Sequence, residues 1–183
     1  MTFRAVRDAG MWCYHQRRYD MAFDKSKGEG SPHQFLAQLA GGWTGRTRTW
    51  REPDGVPAES TTRGSVQPIL DGRFVIYLYQ TSLDEETHHG MFIFGYDTTQ
   101  DAYQASWVDS FHNNTAIMYC VGGPRQKGFF VLGSYPAPDE GPDWNWRTEV
   151  ELLDRDHLLI TAYNISPEGT ESKAVETALQ RAR

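Results

Sequence analysis

The sequence predicts an all-β fold: a single up-and-down antiparallel barrel of about ten strands, preceded by a short helix. Three observations carry this. From Trp43 onward, apolar and polar residues alternate with period two in short segments. Between the segments stand clusters of Gly, Pro, Asp and Asn, and no helical pattern intervenes. Aromatic residues make up 13% of the chain, with six Trp and nine Tyr, which suits a half-buried pleated surface better than a helix.

Residues 1–30 read as an N-terminal extension and 31–183 as the barrel domain. The extension lacks clean periodicity and ends in Lys25-Ser26-Lys27-Gly28-Glu29-Gly30, a linker composition. Ser31 is suited to cap a helix and Pro32 to its first turn. Phe35, Leu36 and Leu39 give that helix one apolar face, and Gly41-Gly42 ends it. Ten strands are then expected over residues 43–51, 58–67, 72–81, 88–96, 102–110, 115–122, 127–135, 144–153, 157–165 and 170–181. The turns between them carry Pro53-Asp54-Gly55, Asp71-Gly72, Asp97 to Asp101, Gly122-Gly123-Pro124, Pro136 to Pro142, Asp154-Arg155-Asp156 and Pro167-Glu168-Gly169. Short connections favour a meander over a Greek key.

Alternation also assigns faces. Trp43, Gly45, Thr47 and Thr49 share the inner face of the first strand, opposite Arg46, Arg48 and Trp50. Trp144, Trp146, Thr148, Val150 and Leu152 alternate with Asn145, Arg147, Glu149 and Glu151. Phe74 to Tyr79 and Met91 to Tyr96 are apolar on both faces, which calls for an outer cover: the N-terminal arm, or the partner in a homodimer.

Composition excludes several classes. The formal charge is −6 and no Lys/Arg run occurs, which argues against nucleic acid or an acidic membrane surface as partner. Cys13 and Cys120 form no zinc or redox spacing and read as two free thiols, Cys120 buried in a strand. No segment is long and apolar enough to span a membrane, and residues 1–20 lack the apolar core of a secretory signal, so a cytoplasmic location is expected. The six His make no H-x-H or H-x-x-x-H pair, which argues against a metal site.

The order helix, Gly41-Gly42-Trp43, Leu70-Asp71-Gly72-Arg73-Phe74, Gly95-Tyr96-Asp97, Trp107-Val108-Asp109-Ser110, Pro167-Glu168-Gly169-Thr170-Glu171 and a terminal Arg181 resembles the bacterial family called domain of unknown function 1579. The resemblance runs from about Ser31 to Arg181. It implies a lipocalin-like barrel of the calycin kind and no established activity. In calycins a Trp of the first strand plugs one end and an Arg of the last strand stacks across it. The resemblance gives those parts to Trp43 and Arg181, with Arg183 a competitor of the same parity.

Strand aromatics supply the expected pocket: Tyr77, Tyr79, Phe94, Trp107, Tyr119, Trp146 and Tyr163, joined by Asp109, as ligand-binding residues for a small hydrophobic molecule. Asp109 shares a face with Trp107. It either enters the barrel, to orient a ligand or act as a base with a raised pKa, or caps the turn with Ser110, Asn113 and Asn114. Binding is the leading expectation, with no catalytic residue assigned. The alternatives are an enzyme using Asp109 for acid–base work on a hydrophobic substrate, a haem barrel using His112 or His157 as proximal ligand, and a filled barrel that dimerises.

Overall fold

A computed structural model describes residues 20, 23, 24, 27–84, 86–113, 115–137 and 141–183. The helix α1 (Pro32–Gln38) is capped by Ser31, whose side chain accepts from the Gln34 N–H. Eleven strands follow: β1 (Gly41–Thr49), β2 (Ala58–Ile69), β3 (Phe74–Leu83), β4 (Glu86–Asp97), β5 (Ala102–Asp109), β6 (Met118–Gly122), β7 (Pro124–Arg125), β8 (Gly128–Tyr135), β9 (Trp144–Asp154), β10 (His157–Ile165) and β11 (Glu171–Arg181). All ten expected strands are present. The extra one, β7, is a two-residue stub in the hairpin before β8.

Each strand pairs antiparallel with its sequence neighbour, apart from the stub. Two further pairings close the sheet: β1 with β11, and β6 with β8. The result is a closed ten-stranded meander, so the wall leaves no long unpaired edge. The two closures are unequal. β1 and β11 align over seven residue pairs from Trp43↔Arg181 to Thr49↔Val175, whereas β6 and β8 share Val121↔Leu132.

The period-two pattern sends Val75, Tyr77, Phe92, Phe94, Tyr103, Ala105, Trp107, Val131, Trp146 and Val150 into one buried core. Each such large side chain contributes roughly 1.5–3 kcal/mol by leaving water. Cys120 is buried among them, and burial pushes its thiol up to about 12. Cys13 lies outside the described residues. The outer face of β3 to β8 leaves Leu78, Tyr119, Val121 and Leu132 exposed.

The strands give the barrel two different ends. The end with α1 carries the β2–β3, β4–β5 and β9–β10 turns and the C-terminal end of β11. Here Trp43 is buried and donates from Nε1 to the Leu39 carbonyl at 2.8 Å, which ties the strand to the last turn of α1. Arg181 sits with its guanidinium carbon 4.3 Å from the Trp43 ring centroid, and donates to the carbonyls of Gln38 (3.0 Å), Ala40 (2.5 Å) and Arg155 (3.0 Å). Carbonyls freed at the helix C-terminus are thereby satisfied by a cation, which the helix dipole also favours. Gly41, at φ +137°, leaves the space the guanidinium needs: a β-carbon there would lie 2.5 Å from Arg181 Nη1. Arg181, not Arg183, faces Trp43.

Candidate functional site

At the opposite end, β3, β5, β9 and β11 deliver side chains to an inner cavity. The space between its atoms is about 560 Å³ with the mouth included, but the centre of a water molecule can move through only about 70 Å³ of it. Outside lies a wider vestibule with about 590 Å³ of such room, lined by Trp50, Arg51, Leu83, His88 and Phe111 among others. His112, Trp146 and Thr49 line both spaces and form the doorway.

One wall is aromatic. Tyr77 stacks on Tyr79 (5.3 Å between centroids), Phe92 on Trp107 (5.2 Å), and Trp107 on Trp146 (5.3 Å). Inward positions two residues apart on one strand, and opposed positions on the next, bring Tyr77, Tyr79, Phe92 and Trp107 into register, while Trp146 meets Trp107 from β9, a strand that β5 does not pair with. Gly90 lies opposite Tyr79, and any side chain there would collide with the phenol ring. Trp107 Nε1 donates to the Tyr79 hydroxyl at 3.0 Å. Burial, followed by the nearby Asp109 carboxylate, raises the Tyr79 phenol well above its ordinary value.

The facing wall is built of threonines. Thr47 Oγ1 lies 2.5 Å from Thr62 and 2.8 Å from Thr177, and Thr62 donates to Thr81 at 2.8 Å. A hydroxyl has one hydrogen. Thr62 gives its own to Thr81, so Thr47 must donate to Thr62 and Thr177 to Thr47. The chain therefore has one sense, and its Thr177 end presents oxygen lone pairs. These threonines come from β1, β2, β3 and β11, adjacent strands whose inner positions meet.

Between the walls sits an Asp–His pair. Asp109 is inward and buried at the end of β5. One carboxylate oxygen accepts the N–H groups of Asn113 (2.8 Å) and Phe111 (3.3 Å), and the other lies 2.6 Å from His112 Nδ1. Burial alone would raise the Asp109 pKa. The His112 hydrogen bond and charge, with the two backbone N–H groups, outweigh it and hold the carboxylate below its ordinary value. His112 Nδ1 thus carries the hydrogen toward Asp109, so that in the neutral imidazole Nε2 is the lone-pair acceptor and in the imidazolium a second donor. Among the described residues Nε2 has no hydrogen-bond partner. The imidazole lies 5.5 Å, centroid to centroid, from both Trp107 and Trp146.

Of the residues the sequence singled out, the cavity is lined by Tyr77, Tyr79, Trp107 and Trp146. Phe94 points inward but lies deeper, between Phe92 (4.9 Å) and Phe129 (5.3 Å), as packing below the cavity. Two expectations fail. Tyr119 alternates with buried Met118 and Cys120 and is 57% exposed on the outer face. Tyr163 follows the cavity-lining Ala162 and turns outward, under the Arg147 guanidinium at 4.6 Å. Asp109 is inside and also caps the 110–113 turn. Its carboxyl is held below its ordinary value, opposite to the raised pKa expected of a carboxylate base. Sequence reasoning missed His112 as an inward group because it follows the strand. The Asp109–His112 spacing, across a tight turn, was the available clue.

Neither histidine considered for a haem faces an enclosed site of haem size: His157 is exposed on the outside and held by Asp154 at 2.8 Å, the inner cavity beside His112 is far smaller than a macrocycle, and the wider space at His112 is the open vestibule. No group of three metal-ligating side chains occurs among the described residues. No helix among them is long and apolar enough to cross a membrane.

Comparison with known proteins supports the architecture. The crystal structure of Rv2717c from M. tuberculosis superposes with a TM-score of 0.57 at 16% identity, covering 84% of this chain and 99% of that one. At that identity the likeness concerns the fold alone. None of the curated proteins matches the chain. The model of a protein family of unknown function, DUF1579, matches residues 28–181, nearly the whole described barrel and its helix, and the chain therefore belongs to that family.

Proposed function

We propose that the open end of this barrel binds a compact, planar, largely apolar molecule whose polar edge enters the inner cavity. The observation that carries this reading is the continuous aromatic wall from Tyr77 to Trp146, facing hydroxyls across an open doorway. An apolar pocket with a few convergent polar groups is the usual form of a small-molecule site. The narrow interior favours a single ring standing in the doorway over a long acyl chain swallowed whole. The ring stacks against Trp146 and Trp107, and the hydroxyl chain and His112 fix its orientation.

Titration with one-ring aromatics tests this through tryptophan fluorescence. Saturable quenching is expected, and Thr49→Trp, which narrows the doorway from its rim, should weaken it by tenfold or more. Non-saturable quenching, or saturation untouched by the narrowed doorway, overturns the reading.

A further inference from the structure

We infer that the doorway selects weak acids, phenols or acidic heteroaromatic N–H compounds, and takes up their proton at His112 Nε2. This rests on the binding reading above and names its ligand class. Asp109 holds Nδ1–H at 2.6 Å and is itself fixed by two backbone N–H groups, so the imidazole has one orientation and one open nitrogen. In the neutral imidazole that nitrogen is a base, with Asp109 as the counter-charge already in place. On binding, the ligand's O–H or N–H bond breaks, its electron pair stays on the ligand, and the proton forms the Nε2–H bond. Asp109 remains a carboxylate throughout. The net charge of the group is −1 before and after, so no charge is added to the desolvated doorway.

The surroundings favour the ionised pair. Two indole faces lie within cation–π reach of the imidazolium. The other titratable groups lining the same spaces as His112 include Tyr77 and Tyr79 from β3, both held neutral by burial, and His88 from β4, which contacts Phe111 at 4.6 Å. Arg51 and Asp84 at the rim form an ion pair with each other, and Glu86 is exposed beyond them. Among the described residues that line the inner cavity there is no second carboxylate to compete for the His112 proton.

4-Nitrophenol is a direct probe, since its ionised form alone absorbs strongly in the visible. With wild-type protein, buffered below the free phenol's pKa, binding should deepen the visible band. The apparent pKa of the bound phenol should fall by about one unit, a tenfold change in its ionisation. His112→Gln should still quench fluorescence but bind the phenol in its neutral form. 4-Nitroanisole, which lacks the proton, should bind at least about tenfold more weakly than nitrophenol to wild type and equally to His112→Gln. Saturable quenching by nitrophenol with no gain of the visible band in wild-type protein overturns this inference and leaves the binding reading standing. Absence of saturable quenching by both compounds overturns the binding reading itself. The wild-type spectrum decides the matter even should the variant fold poorly.

Discussion

The two ends of the barrel use the same materials, an indole and a charged side chain on adjoining elements, to opposite effect. At the closed end Trp43 spends its N–H on Leu39 and Arg181 distributes its donors over three carbonyls. At the open end Trp107 and Asp109 are equally well held, but Asp109 holds in turn a third group, His112, whose second nitrogen has no hydrogen-bond partner among the described residues. One end satisfies its polar groups and gains stability. The other stops one hydrogen bond short. A polar group that is oriented but unpaired is what a binding site needs, and it is a stability cost wherever binding is not the purpose.

Substitutions can break or sharpen this contrast. The largest effect belongs to the closed end: Trp43→Ala should destabilise by about 3–5 kcal/mol, because a fully buried indole leaves a cavity that strands and helix cannot collapse to fill. Chemical denaturation measures it, and a loss below 1 kcal/mol would mean the plug is dispensable. At the open end, Asp109→Asn should cost about 1–3 kcal/mol near neutrality, by weakening the turn cap and the His112 bond together. Its pH dependence has a definite sign. A carboxylate whose folded pKa lies below its unfolded value of about 3.9 stabilises fully above that pH, and loses the contribution as pH falls through the folded value. Wild type and Asp109→Asn should therefore converge in stability under acid. A gap that persists there would show that the charge is not what matters.

Smaller changes probe the walls. Thr62→Val keeps the shape, removes the middle of the hydroxyl chain and strands the Thr47 hydrogen; about 1 kcal/mol is expected by thermal denaturation. The smallest effect should come from Tyr119→Ser. It removes an exposed ring from the outer face, should change stability by no more than about 0.5 kcal/mol, and should leave ligand quenching unaltered. Altered quenching would put Tyr119 back among the ligand contacts.

The fold was legible because strand alternation is local. Every strand from β1 to β11 except the β7 stub follows from period two and turn chemistry, and meander connectivity follows from short turns. The same rule oriented Trp43, Thr47, Trp107 and Trp146. Residue type misleads where it departs from that rule: Tyr119 and Tyr163 resemble pocket residues because they are aromatic, though their neighbours' parity sends them out. His112 was illegible for a different reason. It lies beyond the strand, where parity stops, and its direction is set by the turn that Asp109 caps. The threonine wall escaped notice because each member is unremarkable alone; four strands must be laid side by side before their hydroxyls form a chain.

The seam between β1 and β11 has a kinetic consequence. Most of the wall joins strands close in sequence, but Trp43 and Arg181 close a loop of nearly the whole domain. Ordering the intervening chain comes before the reward of their contact, so this seam is expected among the slow, late steps of folding. Trp43 enters its final environment only when the seam zips. Its emission, isolated by comparing wild type with Trp43→Phe, would serve as a clock for ring closure. Trp107, Trp144 and Trp146, in locally paired strands, would report the earlier assembly of the open sheet.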